Sequence, residues 1–397
     1  MITRRSFLGI AVISIAGLTG RLSYGYGNNR DSGSTKTNSL LERVGPLLPP
    51  DKNGVMLPDG FRSRIIARSG SRPFDGSPYK WHNAPDGGAT FSTEDNGWIY
   101  VSNSEVGHNS GGVGAIRFDR AGNITDAYSI LDNSSYNCAG GATPWNTWLS
   151  CEEHNKGIIW ECDPFGNEPP VQLPALGVFA HEAAAIDNRN HVVYMTEDKR
   201  DGCFYRFVSD SISSGGKPDL NSGVLEVAVV DLKTSIVNWV AVPDPSALSR
   251  PARFQIASGT KFKGGEGIVF YNGIVSFATK GDNRIWSYNT ESRIMSVIYD
   301  AATHSAPILT GVDNITLSKD GELVVGEDGG DLQIVAITKS GNLVPLVQLV
   351  GHESSEVTGP AFSPDGMRLY FSSQRGTAGR SRGGVTFEVM GPFHSLT

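Results

Sequence analysis

The chain has 397 residues, of which 48 are glycine, 39% are hydrophobic and only 19% are charged. This composition favours a compact, turn-rich β protein over a disordered chain or a coiled coil. The formal net charge is −7 and no basic run follows the first residues, so we expect no nucleic-acid partner. An acidic protein of this kind repels anionic substrates unless bound cations reverse the local field.

The N-terminal residues carry the pattern of an export signal. A pair of arginines, Arg4 and Arg5, precedes a short apolar run over residues 9–18. This order is typical of a twin-arginine signal, although an ordinary signal peptide or a chance basic start would also fit. The run is about half of the ~20 residues that a spanning helix needs, so we expect no stable membrane span. We predict a signal peptide over residues 1–30, a linker over 31–50, and delivery by the twin-arginine export machinery to the periplasm or the extracellular space.

From residue 51 onward, short β-rich runs alternate with turn signals. Six of these runs end in acidic or polar residues, and each is preceded by a strand start and followed by a further strand. The six runs begin at Trp98, Trp148, Val192, Ile274, Leu323 and Leu369. A repeat of roughly 45–50 residues with three or four strands per unit is typical of a propeller. We therefore predict an all-β fold, a six-bladed β-propeller forming a single domain over residues 51–397, with an insertion around residues 208–262 that holds the few helices.

Acidic residues converge on one rim of this predicted propeller. The first strand of each blade lines the central channel and the second runs antiparallel to it, so the start of one and the end of the other share a rim. Strand starts place there Asp86, Cys138, Glu182, Glu266, Asp313 and Glu356. Strand ends add Glu105, Cys151, Glu152, Glu153, Glu197, Asp198, Asp282, Glu327 and Asp328. So many carboxylates around one axis cannot all stay ionised without counter-cations.

The chemistry of these side chains points to metal ions. Carboxylate oxygens select Ca²⁺, Mg²⁺ or Mn²⁺, and a set that includes a thiolate also suits iron. Cys151 precedes two acids, which fits a thiolate ligand, although a small core cysteine or, less well, a nucleophile would also fit. Each acid could instead be a solvated turn residue, and Asp313 with Asn314 could form an Asx-turn. The four cysteines fit no zinc-binding spacing, and their pairing stays open.

Three cations lie within the acidic loops, namely Lys280, Arg284 and Arg375. They are candidates to hold a phosphate group, and they could equally form surface ion pairs. The repeat places Arg375 at the end of a second strand, on the same rim as Glu266. Arg375 is therefore the first candidate for contact with phosphate, and Arg284 is the second.

The sequence resembles the PhoX-type alkaline phosphatase family over residues 60–376. The resemblance rests on the stretches 137–145, 148–153, 181–182, 265–266, 312–314 and 356–366, which are specific only jointly. The family implies a six-bladed propeller that hydrolyses phosphoesters at an iron–calcium cluster in one mouth. A twin-arginine start is also typical of the family.

The resemblance assigns roles to individual residues. The family's thiolate iron ligand falls on Cys151. Its carboxylate ligands fall on Glu182, Glu266 and Asp313, with Glu152 as a further candidate. The characterised phosphatases carry an arginine for phosphate two residues before the glutamate matched by Glu266, and this chain has Gly264 there.

We therefore predict an exported, metal-dependent phosphoesterase with Ca²⁺ and Fe³⁺ as cofactors and a small-molecule phosphoester as substrate. The predicted metal ligands are Cys151, Glu152, Glu182, Glu197, Glu266, Asp313, Glu327 and Glu356. The predicted catalytic residues, which would contact phosphate, are Arg375 and Arg284. Two alternatives are a Ca²⁺-dependent lactonase-like hydrolase, which needs no thiolate, and a non-catalytic binding propeller with structural calcium.

Overall fold

A computed structural model describes residues 40–394, so the predicted signal peptide 1–30 and the first part of the predicted linker lie outside the described residues. The described residues form 26 β-strands in six antiparallel sheets. The first strands of neighbouring sheets contact one another around a complete circle, and the sixth sheet returns to the first. The predicted all-β, six-bladed propeller is confirmed.

The first two strands belong to blades that the chain completes only near its other end. They are β1 (Val55–Met56) and β2 (Arg62–Arg68). Blade 1 contains β3 (Pro85–Ser92), β4 (Trp98–Ser104), β5 (Gly111–Phe118) and β6 (Ile124–Ser134). Blade 2 contains β7 (Gly141–Ala142), β8 (Trp148–Cys151), β9 (Ile159–Cys162) and β10 (Val171–Gln172). Blade 3 contains β11 (His181–Asp187), β12 (Val192–Glu197), β13 (Phe204–Ser209), β14 (Gly223–Val230) and β15 (Val237–Ala241).

The second half of the chain repeats the same plan. Blade 4 contains β16 (Gly265–Tyr271), β17 (Ile274–Thr279), β18 (Arg284–Asn289) and β19 (Met295–Asp300). Blade 5 contains β20 (Val312–Leu317), β21 (Leu323–Glu327), β22 (Gln333–Ile337) and β23 (Leu343–Leu349), with β1 added at its edge. Blade 6 contains β24 (Val357–Phe362), β25 (Arg368–Ser373) and β26 (Val385–Met390), with β2 as its outer strand.

The ring is closed by pairing between the two ends of the chain. Strand β2 pairs antiparallel with β26, with Arg62 opposite Met390 and Arg68 opposite Val385. The last blade is therefore completed by one of the first strands, which joins the ends of the circle without a covalent link.

The hydrophobic core lies between neighbouring blades. Middle strands such as β21 and β22 are buried at every position, because each blade packs against another sheet on both faces. Between blades 1 and 6, the rings of Tyr100 and Tyr370 stack with centroids 5.0 Å apart. The indole of Trp98 donates a hydrogen bond to the Tyr370 hydroxyl at 3.0 Å, so the polar atoms of Trp98 and Tyr370 are buried with a partner.

The predicted insertion at 208–262 is largely part of blade 3. It supplies β14 and β15, which extend the sheet outward, and it holds α1 (Ala252–Gln255), the single α-helix among residues 40–394. Short 3₁₀ helices lie elsewhere, at Leu41–Arg43, Pro174–Leu176, Lys280–Asp282 and Ser381–Gly383. Within the same residues, no helix is both long enough and apolar enough to cross a membrane.

The end of the predicted linker packs against the propeller. Leu41 is 1% exposed and lies in the apolar cluster formed by blades 5 and 6. The part of the segment 31–50 that the structure describes is therefore partly anchored to the propeller.

Candidate metal site at the propeller mouth

The same step in the strand ladder is repeated in every blade. At one rim of each blade, a residue near the start of the first strand pairs with a residue near the end of the second strand. These pairs are Pro85 with Ser104, Asn137 with Glu152, His181 with Glu197, Gly265 with Thr279, Val312 with Glu327, and Val357 with Ser373. In five blades the register shifts directly after this pair, and an irregularity of this kind re-aims the next side chain.

The residues that follow these pairs form two rings around the axis. The first ring, from the first strands, consists of Asp86, Cys138, Glu182, Glu266, Asp313 and Thr358. The second ring, from the ends of the second strands, consists of Glu105, Glu153, Asp198, Lys280, Asp328 and Gln374. Blade 6 departs from the acidic pattern at both positions, and it contributes Glu356 and Arg375 to the mouth instead.

The two rings enclose a small polar cavity of about 80 Å³. Nine carboxyl groups, one thiol and two cations line it: Asp86, Glu105, Glu153, Glu182, Asp198, Glu266, Asp313, Asp328, Glu356, Cys138, Lys280 and Arg375. Four overlapping trios have potential ligand atoms within 4.8 Å of one another. The trios are Asp86–Glu105–Cys138, Cys138–Glu153–Glu182, Glu182–Glu266–Asp313 and Asp313–Asp328–Glu356.

Glu182 is the clearest sign that this cavity is built for cations. Its side chain is 1% exposed, and within the described residues neither carboxylate oxygen has a hydrogen-bond partner. Burial raises the pKa of Glu182 well above its usual value, and the carboxylates of Glu266 and Glu153 raise it further. A buried carboxyl group without donors must be protonated or bound to a cation, since an isolated buried charge is too costly.

The other carboxyl groups respond in the same way. Burial raises the pKa of Glu153 to about 8, and the neighbouring Asp198 and Glu105 add to the shift. The side-chain amide of Gln374 donates to Asp86 and to Glu105, each at 2.6 Å, so part of this charge is already partnered. The donor set is thus mostly oxygen, with a single sulfur, which suits Ca²⁺ at the carboxylates and iron beside the thiol.

The thiol in the mouth belongs to Cys138, whereas the sequence favoured Cys151. Cys151 is fully buried in an apolar cluster with Leu149 and Ile159, away from the cavity. The two cysteines are neighbours across the ladder, and the Cys138 N–H donates to the Cys151 carbonyl at 2.9 Å. Cys151 lies inside β8 with its side chain in the apolar cluster, whereas Cys138 precedes β7 and lines the cavity. All four cysteines of the chain are free, and the position of Cys151 does not fit the predicted ligand role.

Three predicted carboxylate ligands also lie outside the cavity. Glu152, Glu197 and Glu327 each accept a hydrogen bond from the backbone N–H six residues further on, at Ile158, Cys203 and Gln333 respectively. Their carboxylates therefore fasten the loop between the second and third strands of blades 2, 3 and 5. The next residue in each case, Glu153, Asp198 or Asp328, enters the second ring.

The structure brings together the other four predicted carboxylates, Glu182, Glu266, Asp313 and Glu356. The ligand set predicted from the sequence lacks Asp86, Glu105, Glu153, Asp198 and Asp328, although the strand pattern places all of them at this rim. The signal that separates them from their neighbours is the ladder pair itself, since the residue one step beyond each pair faces the axis.

The two predicted catalytic arginines have different environments. Arg375 lines the mouth, where its Nη2 lies 2.7 Å from Glu356 Oε1. Arg284 does not line the mouth and pairs with Asp282 at 3.2 Å and with Asp300 at 2.9 Å. Of these two arginines, only Arg375 is therefore in a position to contact an anion bound at the mouth.

Position 264 faces the mouth even though it carries no side chain. Gly264 has a φ of +72°, and a Cβ atom built there would lie 3.0 Å from Asp198 Oδ1 and 3.9 Å from Glu266 Oε1. A longer side chain at this position would enter the cavity. The absence of an arginine here therefore removes a cation from the mouth itself.

Lys280 directly follows the second strand of blade 4 and supplies a cation opposite Gly264. Its backbone N–H donates to the Gly264 carbonyl at 2.9 Å, and its side chain points into the mouth. Burial alone would lower the pKa of the Lys280 ammonium, but the surrounding carboxylates, Asp313 foremost, raise it well above its usual value. Lys280 is thus a fixed positive charge in this site.

The fold and the site together define a six-bladed β-propeller with an acidic mouth suited to metal ions. Comparison with known protein families identifies the family within this class. The alkaline phosphatase PhoX family model matches residues 123–164, 154–269 and 285–376, which together are more than half of the chain. The chain belongs to this family.

Solved structures show the same fold. The Pseudomonas fluorescens PhoX in complex with vanadate, a transition state analogue, is 18% identical with a TM-score of 0.71, and the match covers 89% of this chain and 98% of that one. A structural genomics protein of unknown function from Bacteroides thetaiotaomicron is 9% identical with a TM-score of 0.53, covering 86% of this chain and 83% of that one. Comparison with curated protein sequences gives no match.

Proposed function

We propose that the chain is an exported phosphoric ester hydrolase that works with Ca²⁺ and Fe³⁺ bound in the propeller mouth. The observation that carries the proposal is the buried, unpartnered carboxylate of Glu182 within a cavity of nine carboxyl groups and one thiol. Membership of the alkaline phosphatase PhoX family supports the reaction class.

The trios of ligand atoms suggest which residues hold which ion. Cys138 belongs to two trios, one with Asp86 and Glu105 and the other with Glu153 and Glu182, and its thiolate gives these positions a preference for iron. The all-carboxylate trios around Asp313 offer only oxygen, which favours Ca²⁺. When bound, such cations neutralise the carboxylates and stabilise negative charge on the phosphoryl group in the transition state.

Arg375 is the residue of this chain best placed to orient the phosphate. A guanidinium has five N–H donors, and the ion pair with Glu356 engages only part of them. The remaining donors can form charge-assisted hydrogen bonds to a phosphate oxygen at the mouth. Because no arginine stands at Gly264, we expect Arg375 to carry this role.

The test compares two arginines that are equally exposed. The side chains of Arg375 and Arg284 are each 36% accessible and each is ion-paired, but only Arg375 lines the mouth. We expect Arg375→Ala to lower kcat/KM for a chromogenic phosphomonoester by ~2–4 kcal/mol of transition-state stabilisation, and Arg284→Ala to leave it within threefold of wild type.

Elemental analysis of the purified protein accompanies this assay. Calcium and iron in the wild type, with phosphatase activity that a chelator abolishes, would support the proposal. A metal-loaded wild type that hydrolyses a lactone but no phosphoester would replace it with the lactonase hypothesis. Equal activity of both arginine variants would remove Arg375 from the site.

Export rests on the twin-arginine pattern at Arg4 and Arg5, which lies outside the described residues. We expect the wild-type chain to appear in the periplasmic or extracellular fraction. The double variant Arg4→Lys, Arg5→Lys should be retained in the cytoplasm if the twin-arginine machinery carries the chain. Equal export of both would exclude that route.

A further inference from the structure

Blade 4 places a lysine where the other blades place an acid or an amide. Among the six equivalent positions of the second ring, Glu105, Glu153, Asp198 and Asp328 are acidic, position 374 is a glutamine, and position 280 is a lysine. Lys280 therefore adds a positive charge at a point where the repeat would otherwise add another ligand oxygen.

The ammonium group lies between carboxylates of two blades. Its Nζ is 3.2 Å from Glu266 Oε1 in blade 4, 3.2 Å from Asp328 Oδ2 and 3.5 Å from Asp313 Oδ2 in blade 5. An ammonium group has three N–H donors, and three carboxylate oxygens surround it here. Nζ donates to Asp328 Oδ2 and to Asp313 Oδ2 and is ion-paired with Glu266, so Lys280 is engaged by the ring carboxylates and is poorly placed to take over the phosphate contact missing at Gly264.

Two of the possible metal trios meet at this ammonium group. Glu266 and Asp313 belong to the trio with Glu182, while Asp313 and Asp328 belong to the trio with Glu356. A divalent cation bound to the same oxygens would need Ca–O distances of about 2.3–2.6 Å. Two cations in such close proximity repel each other, and the lysine already occupies the space.

We propose that Lys280 is a built-in cation that takes the place of one divalent ion, so that the mouth binds one ion fewer than its carboxylates would otherwise hold. This inference rests on the proposed function only in its premise that the mouth binds divalent cations.

The local backbone holds Lys280 in this position. The residue begins the 3₁₀ turn Lys280–Asp282, and Thr279 Oγ1 donates to Asp282 Oδ1 at 2.6 Å. The Gly281 N–H donates to the Lys263 carbonyl at 2.8 Å, and a Cβ at position 281 would lie 2.7 Å from that same oxygen. The turn is therefore fixed against the neighbouring segment, and it directs the lysine toward the axis.

The test measures bound calcium per chain by equilibrium dialysis and elemental analysis, and it does not depend on catalysis. Lys280→Met keeps the aliphatic stem and removes the charge, and we expect it to bind one more Ca²⁺ than the wild type. Lys280→Arg should keep the wild-type number. Lys263→Met, at an exposed lysine beside the same turn, is the matched control and should also keep it.

Thermal unfolding with and without calcium provides a second readout. Removing the internal cation should destabilise the chelated protein, and an added calcium ion should restore stability by mass action. The calcium-induced rise in Tm should therefore be larger in Lys280→Met, or in Lys280→Gln if the Met variant does not fold, than in the wild type.

An unchanged calcium number in both charge-removing variants would overturn the inference while leaving the proposed function intact. That result would show that the lysine swings away when metals bind. If the wild type binds no calcium or iron, the proposed function fails. Even then, gain of one calcium ion in Lys280→Met would support the role of Lys280, and no gain would refute it.

Discussion

Cys138 and Cys151 offer a sharp test of the site, because they are ladder neighbours with opposite surroundings. We expect Cys138→Ser to remove iron from the purified protein, since a hydroxyl is a far poorer iron ligand than a thiolate. Loss of an outer-shell partner alone typically weakens metal binding by ~10–100-fold, so loss of a direct ligand should cost at least that much. Cys151→Ser should keep the wild-type iron content.

Folding stability should respond in the opposite order. Cys151 is fully buried among apolar side chains, and an unpartnered hydroxyl there costs ~1–3 kcal/mol by comparison with other buried substitutions. Cys138 faces carboxylates, so a serine hydroxyl at that position can donate to one of them. In chelator we therefore expect Cys138→Ser to change the free energy of unfolding by less than ~1 kcal/mol.

The assay is iron per chain by elemental analysis, combined with urea unfolding of both variants in chelator. Iron lost from Cys151→Ser but kept by Cys138→Ser would reverse the assignment and restore the prediction made from the sequence. Wild-type iron in both variants would show that no thiolate binds the metal.

Two further predictions concern charge and loop anchoring. In chelator, the native protein keeps a proton on Glu153 up to a pKa of about 8, while the unfolded chain loses it near 4.5. The free energy of unfolding should therefore fall as pH rises between these values, by ~1.4 kcal/mol per pH unit for each such carboxyl group. Saturating calcium should weaken this pH dependence. A urea midpoint that stays constant across the same pH window would refute the prediction. Glu327→Gln should lower the free energy of unfolding by ~1.5–3 kcal/mol, because the Glu327 carboxylate accepts hydrogen bonds from the backbone N–H groups of Thr310 and Gln333. The amount of bound metal should not change, since Glu327 lies outside the rings. Loss of metal would contradict that placement.

The blade repeat could be predicted from the sequence because each second strand is a short, buried run with a polar end. The runs beginning at Trp98, Val192 and Leu323 all correspond to second strands, and their spacing gives the blade count. The segment 208–262 makes the gap between two repeats longer than the others, so the sequence alone predicts an insertion there, whereas the structure uses it for the outer strands β14 and β15. Local sequence also holds no sign that β2 pairs with β26, since the partners lie more than 300 residues apart.

The rim could be predicted, but the direction of each side chain could not. Consecutive acids such as Glu152 and Glu153 look equivalent in the sequence, yet one fastens a loop and the other faces the axis. The difference depends on ladder register, and a shift of one residue sends a side chain to the opposite face of the sheet. The sequence likewise gives no sign that Cys138 lines the cavity while Cys151 lies in an apolar cluster.

The closure of blade 6 by β2 links synthesis of the chain to assembly of the mouth. Residues 62–68 are synthesised early but cannot pair until residues 385–390 have been made. Glu356 and Arg375, which line the mouth, are also synthesised late. Synthesis therefore delivers the residues of five sides of the cavity before those of the sixth, and the circle closes only when the domain folds as a unit. A prematurely ended chain would present an open, uncompensated array of carboxylates, whereas a finished one closes the array and its circle together. Cation loading would then mark full-length molecules and set them apart from truncated ones.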